Sequence, residues 1–434
     1  MTSLTTRPVA VDITRLVTRL RHPSPSGIDR VDLAYARHLL AQEGERFGLV
    51  ATALGPRVLD RTEASGIVEA VAAGWAEDGK AEADPVYRAL AARIEGGAGA
   101  VATGPRTVGA RARRLIQARA TRRILGGRPA SALPRRSLYV HTSHLRLDRP
   151  ERFDWLYDRS DVRAAFFVHD LIPITHPEYG RPGEAGRHAE RLRTIGRHAA
   201  AILANSHDTA ERTRAHLRRA GLAPPPVAVG HLGVEPAFGP AGPSVTPDRP
   251  TFLVCGTIEP RKNHLLLLHL WRALAERLGP ETPRLVLVGR RGWEAENIVD
   301  LLDRCEAIRP HVVEVSGLST HGLAALMRGA TALLMPSFTE GYGIPIVEAA
   351  ASGLPVVASD IPVHREIGAS FCDFLDPLDG PGWARAVTTL AEPGSAARAV
   401  LAERLLGYRS PGWPEHFDAV SPLLDRCEPA MSPG

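Results

Sequence analysis

Two glutamates bracket a glycine-rich turn in the stretch "SFTEGYGIPIVEAAASGLPVVASD", residues 337–360. Glycines let such a turn adopt positive φ and approach a ligand closely, and the following proline suits the first turn of a helix. The pattern predicts that Glu340 lies in a loop and Glu348 in the first helical turn, both facing one crevice. Carboxylates there can accept hydrogen bonds from sugar hydroxyls, while loop amides bind phosphate. Simpler roles are a loop acid for Glu340 and a dipole-stabilising acid for Glu348.

A second cluster lies in "LVCGTIEPRKNHLLLL", where a strand ends at Gly256 and Thr257 and a helix begins near Arg261 and Lys262. A helix N-terminus attracts anions through its free amides and its dipole. A guanidinium and an ammonium added there form a clamp for a diphosphate. Only two of the 53 basic residues are lysines, which makes Lys262 informative. Two merely solvated cations are the weaker interpretation, because cations oppose the dipole at this end of a helix.

Alternating strands and helices must position both clusters. In the first half, "VAVDITRLV", "SLYVHTS", "AAFFVHDL" and "AAILANS" are typical of strands. In the second half, five apolar runs from "TFLVCGT" to "LPVVASD" alternate with helices, as in a parallel sheet covered on both faces. Residues 236–250, rich in Pro, Gly and Ser, are the expected linker. The sequence predicts an α/β fold with two Rossmann-like, doubly wound parallel-sheet lobes, 1–240 and 250–405, that face a central cleft.

Composition disfavours several other classes of protein. A chain of 434 residues with 44% hydrophobic and 23% charged residues suits two globular domains. No apolar run approaches the roughly 18 residues of a membrane helix, and no signal peptide is recognised. Four widely spaced cysteines without a CxxC pair suit a reducing cytoplasm rather than zinc or disulfides. The net charge of +5 accompanies a general preference for arginine, so nucleic-acid binding is not expected.

Residues 101–136 contain ten arginines, from Arg106 to Arg136, and no acidic residue. A solvated helix in an arginine-rich chain is one interpretation. The other is an interfacial helix that binds anionic lipid headgroups at the inner face of the cytoplasmic membrane.

The motifs "GTIEPRKN", "VGRRGW" and "SGLSTHGLAALMRGA", together with the opening stretch, resemble the C-terminal half of a retaining glycosyltransferase of family 4, which has the GT-B fold. "EGYGIPIVE" matches that family's E-x7-E motif. "DITRLVTRLRHPSPSGIDRV", "FFVHDLIPITHPEY", "ILANSHDTAERT" and "VGHLGVEPAF" are similar to bacterial members that build surface polysaccharides such as capsule or O-antigen. The resemblance implies a nucleotide-diphospho-sugar donor, a glycan or lipid-linked glycan acceptor on the N-terminal lobe, and a terminal helix within 406–434 that crosses back to that lobe.

The resemblance also implies roles for individual residues. Lys262 and Arg261 would hold the donor diphosphate and stabilise the leaving group, and Glu348 would bind the ribose hydroxyls. Glu340 would hold the donor sugar, which His169 would face from the other lobe, although a buried core histidine is the simpler role for His169. The remaining implied donor-binding positions are Gly27, Gly256, Thr257, Arg290, Ser316, Gly317, Leu318, Gly341, Tyr342, Gly343 and Ile344. Thr257 departs from the family, since many relatives place an arginine there.

The expected reaction retains the anomeric configuration and needs no metal, because no DxD pair follows a strand and the cations can stabilise the leaving diphosphate. Glu340 is the best candidate for a nucleophile, but its loop suits sugar hydroxyls better, which favours same-face attack by the acceptor. A nucleotide-sugar 2-epimerase and a catalytically silent scaffold of a membrane glycan-assembly complex are the alternatives. GDP-mannose is the first expected donor, with UDP-sugars, dTDP-rhamnose and GDP-fucose left open.

Overall fold

The computed structural model describes residues 7–20, 25–75, 80–97 and 120–427. They form two α/β lobes, each built on one central sheet. The largest buried apolar cluster includes side chains from both lobes, so the lobes are packed against each other. Within the described ranges, no helix combines the length and the apolar character that crossing a bilayer requires.

The first lobe contains eight strands: β1 Val9–Asp12, β2 Arg46–Thr52, β3 Gly55–Asp60, β4 Arg128–Pro129, β5 Leu138–His141, β6 Arg163–Val168, β7 Ala199–Ala204 and β8 Val227–Val229. Their order in the sheet is β4-β3-β2-β1-β5-β6-β7-β8. All neighbouring pairs are parallel except β2–β3 and β3–β4, which are antiparallel. Two residues join β2 to β3, and so short a connection permits only an antiparallel pair.

Helices cover both faces of this sheet. Val9 and Val11 of β1 contact one apolar cluster, whereas Ala10 between them contacts another. The helices are α1 Thr14–Arg19, α2 Gly27–Ala41, α3 Arg61–Trp75, α4 Pro85–Ile94, α5 Trp155–Asp158, α6 Ile172–Thr175, α7 Glu184–His198 and α8 His207–Arg219.

Strand β1 is shorter than the run "VAVDITRLV" predicts, because it ends at Asp12 and α1 begins at Thr14. The Asp12 carboxylate accepts a hydrogen bond from the Thr14 amide (2.9 Å), and such a local bond competes with continued strand pairing. Ile13 and Leu16 are fully buried. The apolar run therefore enters the core partly as a helix.

The second lobe contains β9 Thr251–Cys255, β10 Arg284–Val288, β11 Val312–Val315, β12 Ala332–Met335, β13 Val356–Ser359 and β14 Asp373–Leu375. The sheet order is β11-β10-β9-β12-β13-β14, and every pair is parallel. It has one strand more than the five predicted. The accompanying helices are α9 His264–Leu278, α10 Glu296–Arg304, α11 Thr320–Gly329, α12 Ile344–Ala351, α13 Pro362–Gly368, α14 Gly380–Ala391 and α15 Ala396–Leu405.

Helix α16 (Trp413–Arg426) returns to the first lobe. The Tyr35 hydroxyl of α2 lies 2.7 Å from His416 Nε2, and the Tyr35 ring packs edge-on against Phe417 with centroids 5.0 Å apart. The chain thus passes between the lobes at 236–250 and again at 406–412.

The arginine-rich segment lies largely outside the described residues, since 98–119 are not part of them. Residues 120–126 at its end are helical, with Ile124 buried against the first lobe. The described arginines of the segment are all exposed, namely Arg122, Arg123, Arg128, Arg135 and Arg136.

Candidate active site

The candidate site lies where the strand order of the second sheet reverses. β9 pairs with β10 on one side and with β12 on the other, so the chain after β9 and the chain after β12 leave the sheet in different directions. Ligands of open α/β sheets bind in the crevice that forms at such a point. Both predicted clusters lie there, because Arg261 and Lys262 follow β9 and Glu340 follows β12.

Glu340 joins the two predicted cations. Lys262 Nζ lies 2.5 Å from Glu340 Oε1, and Arg261 Nη1 lies 2.6 Å from Glu340 Oε2. Ser337 donates a further hydrogen bond to Oε1 (2.8 Å). Burial raises the pKa of Glu340, but Arg261 and Lys262 outweigh it and hold that pKa well below its usual range. The carboxylate is therefore ionised, and both of its oxygens contact cations rather than pointing freely towards a sugar.

The cations lie in a short 3-10 turn, Pro260–Lys262, that precedes α9. Asn263 separates the turn from the helix with a left-handed φ of 55°, and its side-chain amide donates to the carbonyls of Pro336 (3.2 Å) and Pro377 (2.9 Å). Arg261 also contacts Glu259 at 2.6 Å. Burial raises the pKa of Glu259 more than its cationic neighbours lower it, so Glu340 is the stronger acid of the two.

Two glycines bring the ends of β9 and β10 together beneath Lys262. Gly256 has a φ of 137°, and a Cβ on it would lie 3.0 Å from Lys262 Cε. A Cβ on Gly289 would lie 1.8 Å from the Gly256 carbonyl oxygen. Gly256 was predicted, but Gly289 was not, because the steric demand comes from a neighbouring strand.

The Gly-Tyr-Gly turn contacts the first lobe. A Cβ on Gly341 would lie 2.4 Å from the His169 carbonyl oxygen, and the Gly341 carbonyl accepts hydrogen bonds from Ser206 Oγ (3.0 Å) and Thr209 Oγ1 (3.2 Å). Positive φ occurs at Gly343 (102°) and not at Gly341. Close packing, rather than backbone conformation, is therefore the reason for glycine at position 341.

Tyr342 continues this contact between the lobes. Its side chain is buried, and its hydroxyl lies 3.5 Å from the Leu232 carbonyl oxygen of the first lobe. The turn is consequently held at both Gly341 and Tyr342.

Glu348 is the fifth residue of α12, just past the first helical turn in which it was predicted to lie. Gly343 adopts the left-handed conformation at the N-cap, so the helix begins at Ile344. Glu348 is buried and pairs with Arg30 of α2 in the first lobe. Burial raises the pKa of Glu348, and the Arg30 guanidinium opposes that rise.

Gly27 is the first residue of α2 rather than part of a loop directly after β1, because α1 intervenes. A Cβ on Gly27 would lie 2.9 Å from the Ile344 side chain. The N-terminal ends of α2 and α12 thus meet in the cleft. Ser26 and Asp29 cap α2 reciprocally, which fixes where that helix begins.

His169 is buried at the end of β6, and its Nε2 lies 2.7 Å from the Thr142 carbonyl oxygen. Burial lowers the pKa of His169 to about 4, so the ring is neutral at pH 7 and Nε2 carries the donated proton. The residue contacts the second lobe through its backbone carbonyl, which faces Gly341. These contacts agree with a buried core histidine, the simpler of the two predicted roles.

The other predicted donor-binding residues follow the strands of the second sheet and are less buried than Glu340 and Lys262. Arg290 is exposed after β10, and Thr257 is partly exposed after β9. Ser316, Gly317 and Leu318 follow β11 and are partly buried, with Gly317 at a φ of 82°.

Glu366 of α13 makes a further contact between the lobes, which the sequence did not indicate. Its carboxylate accepts hydrogen bonds from the amides of His207 (2.7 Å) and Asp208 (3.3 Å) at the N-terminus of α8. His231 Nε2 lies 2.9 Å from the same carboxylate. A second-lobe acid therefore caps a first-lobe helix, an arrangement called the Glu366 cap below.

Aromatic side chains also connect the two lobes. Trp293 Nε1 donates to the Tyr179 carbonyl (3.0 Å), and the Tyr179 ring stacks on Phe338 with centroids 5.7 Å apart. The Phe338 amide donates to the Arg261 carbonyl (2.8 Å), so this contact adjoins the cation cluster.

Residues 249–392 match the family model described as glycosyl transferases group 1. The match covers the second lobe from β9 to α14, and the resemblance predicted from its motifs is confirmed.

Among curated relatives, the Escherichia coli serotype-specific mannosyltransferase WbdA is 31% identical over 225 residues, which cover 47% of this chain and 27% of the relative. The Escherichia coli O-antigen chain mannosyltransferase B is 35% identical over 128 residues, covering 29% and 33% of the two chains. A D-inositol 3-phosphate glycosyltransferase of Streptomyces bingchenggensis is 32% identical over 271 residues, covering 56% and 57%. The chain spans about a quarter of the length of WbdA.

Two solved structures superpose on nearly the whole chain. The Anabaena protein Alr3699/HepE, solved with UDP, covers 97% of each chain with a TM-score of 0.57 and 14% identity. Sucrose-phosphate synthase from Thermosynechococcus elongatus covers 96% of each with a TM-score of 0.56 and 18% identity. The predicted GT-B fold is confirmed.

Proposed function

We propose that the protein is a retaining glycosyltransferase that moves a sugar from a nucleotide-diphospho-sugar to a glycan acceptor during the synthesis of a surface polysaccharide. The observation that carries the proposal is the buried cluster of Arg261, Lys262 and Glu340 at the switch point of the second sheet. The names of the relatives, which include O-antigen chain mannosyltransferases, support it.

The proposed reaction depends on stabilising the negative charge of the leaving group. Cleavage of the anomeric C–O bond leaves negative charge on the nucleotide diphosphate, and preorganised cations in a site with little water stabilise that charge strongly. Lys262 and Arg261 would supply this stabilisation without a resident metal. Glu340 would keep the two cations together before the donor binds, since like charges at close range repel each other.

The retaining step that we propose is same-face attack by the acceptor hydroxyl, with the leaving phosphate oxygen accepting its proton. The engagement of both Glu340 oxygens by cations supports this step, because a carboxylate so occupied is a poor nucleophile. A covalent sugar trapped on Glu340 would overturn it.

GDP-mannose is the donor that we propose, because several relatives are named as mannosyltransferases. Thermal-shift titration with GDP, UDP and dTDP tests this, since a ligand stabilises the folded state according to its concentration relative to Kd. Stabilisation by UDP or dTDP in preference to GDP would overturn the assignment.

Contact of residues 101–136 with the inner membrane surface is a further proposal, supported by the run of arginines. Co-sedimentation with vesicles containing anionic lipid, compared with zwitterionic vesicles, tests it. Equal recovery with both kinds of vesicle would overturn it.

The decisive experiment measures release of nucleotide diphosphate from GDP-mannose with and without a mannan oligosaccharide acceptor. A transferase gives acceptor-dependent release, an epimerase isomerises the sugar without acceptor, and a scaffold gives neither. Lys262→Ala should lower kcat/KM by about 100-fold or more, the cost of one preorganised donor to a developing oxyanion. Arg272→Ala, in an exposed ion pair on α9, is the control and should retain activity.

A further inference from the structure

The α2 and α12 helices, one from each lobe, meet at their N-terminal ends. Gly27 lies against Ile344, and one turn further along, the Arg30 guanidinium pairs with the Glu348 carboxylate. The Arg30 side chain is 18% exposed and that of Glu348 only 4%. This ion pair, buried on the Glu348 side, joins the two lobes.

Glu348 depends on this partner for its charge. A buried carboxylate without a cation loses its hydration and tends to become protonated. Among the described residues, Arg30 forms an ion pair with Glu348, whereas Lys262 and Arg261 form ion pairs with Glu340. Glu235, just before the linker, acts in the opposite direction and disfavours the ionised form.

A second contact, with an aromatic ring, also positions Arg30. Its guanidinium carbon lies 5.9 Å from the centre of the Phe238 ring, within the range of a cation–π contact. The guanidinium is thereby aimed at Glu348 rather than left free to follow a ligand.

We propose that Arg30 is a positioning residue for the donor nucleotide: it keeps Glu348 ionised and oriented to accept hydrogen bonds from the ribose hydroxyls. Recognition of the ribose by the second lobe is then complete only when the first lobe closes on it. The proposal rests on the proposed function, in which Glu348 binds ribose.

The test compares binding of GDP and 2′,3′-dideoxy-GDP to the wild type and to Arg30→Ala by calorimetry. Loss of a hydrogen bond to a charged group corresponds to about 10- to 100-fold in affinity. Arg30→Ala should weaken GDP by about that factor and leave the dideoxy nucleotide within about twofold. Arg30→Lys should restore part of the loss, and Glu348→Gln should reproduce the selective loss, with little further change in the double variant.

Arg37→Ala is the matched control, because Arg37 lies two turns further along α2 in an exposed pair with Glu69. It should bind both nucleotides like the wild type, and melting temperatures without ligand report any general unfolding. Equal weakening of both nucleotides by Arg30→Ala would indicate a direct phosphate contact and overturn the proposal, as would no weakening. A separate outcome tests the proposed function itself: if GDP, UDP and dTDP all fail to bind the wild type, the proposed function is overturned.

Discussion

At the scale of single residues, Glu340 has a structural task that its motif does not reveal. The E-x7-E spacing indicates two carboxylates near a donor, yet the structure surrounds Glu340 with Lys262, Arg261 and Ser337. Glu340 is thus the counter-charge that lets two cations share a desolvated crevice. The two acids of the motif differ accordingly, since Glu348 is paired with the opposite lobe.

This arrangement predicts a stability effect. Glu340→Gln should lower the free energy of unfolding at pH 7 by about 3 kcal/mol, because it leaves buried cations without their partner. The folded-state pKa of Glu340 is depressed, so its contribution is fully present above the unfolded-state value of about 4.3 and declines progressively as the pH falls from there towards the folded-state pKa. Denaturant unfolding at pH 7 and pH 4 measures the difference between wild type and variant.

The loss of stability caused by Glu340→Gln should be slightly smaller at pH 4 than at pH 7, because pH 4 lies only just below the unfolded-state pKa. Glu69→Gln, in an ion pair with both side chains at least half exposed, should cost less than about 1 kcal/mol at either pH. A Glu340 variant as stable as the wild type at pH 7 would show that the cluster is not charge-balanced in this way.

At the scale of elements, the turn after β12 and the end of β6 bring the backbones of the two lobes into close contact. A Cβ on Gly341 would lie 2.4 Å from the His169 carbonyl oxygen, and backbone on both sides leaves little room for adjustment. Gly341→Ala should push the turn away by roughly 1 Å. Misplacement on that scale costs about 100-fold in rate, which steady-state kcat/KM will measure.

Gly186→Ala is the control for this substitution, because Gly186 lies in α7 with open space around the Cβ position. It should keep full activity and gain up to about 1 kcal/mol of stability from helix propensity. Unchanged kcat/KM in Gly341→Ala would mean that the close approach is not needed for catalysis.

The strands and helices also show which parts of the fold and of the site could be predicted from the sequence. The parallel second sheet and the cation pair were predictable, because apolar periodicity and the run "EPRKN" are local patterns. Arg30 lies in a recognised motif, but its partner is 318 positions away. The need for glycine at 289 likewise arises from the neighbouring strand. Contacts between distant segments carry no local signal, and they account for most of what was missed.

At the scale of the whole molecule, the Glu366 cap couples helix capping to the packing of the lobes. Glu366→Ala removes the acceptor for the His207 and Asp208 amides, which should cost about 1 kcal/mol as for other N-terminal caps. The lobes should also separate more readily. Small-angle X-ray scattering should then record a larger radius of gyration without nucleotide.

Glu415→Ala removes a comparable acid, which accepts a hydrogen bond from the Gly412 amide at the N-terminus of α16 (3.0 Å), without loosening the Glu366 cap. This control should lose similar stability and keep the scattering profile of the wild type. An unchanged radius of gyration in Glu366→Ala would show that the other contacts suffice to hold the lobes together.

The return of α16 to the first lobe has a mechanical consequence. Because the polypeptide passes between the lobes at 236–250 and again at 406–412, two tethers rather than one connect them. Two connections limit how far the lobes can twist or slide past each other more than one connection would. A lobe that opened would then be brought back with Arg30 facing Glu348.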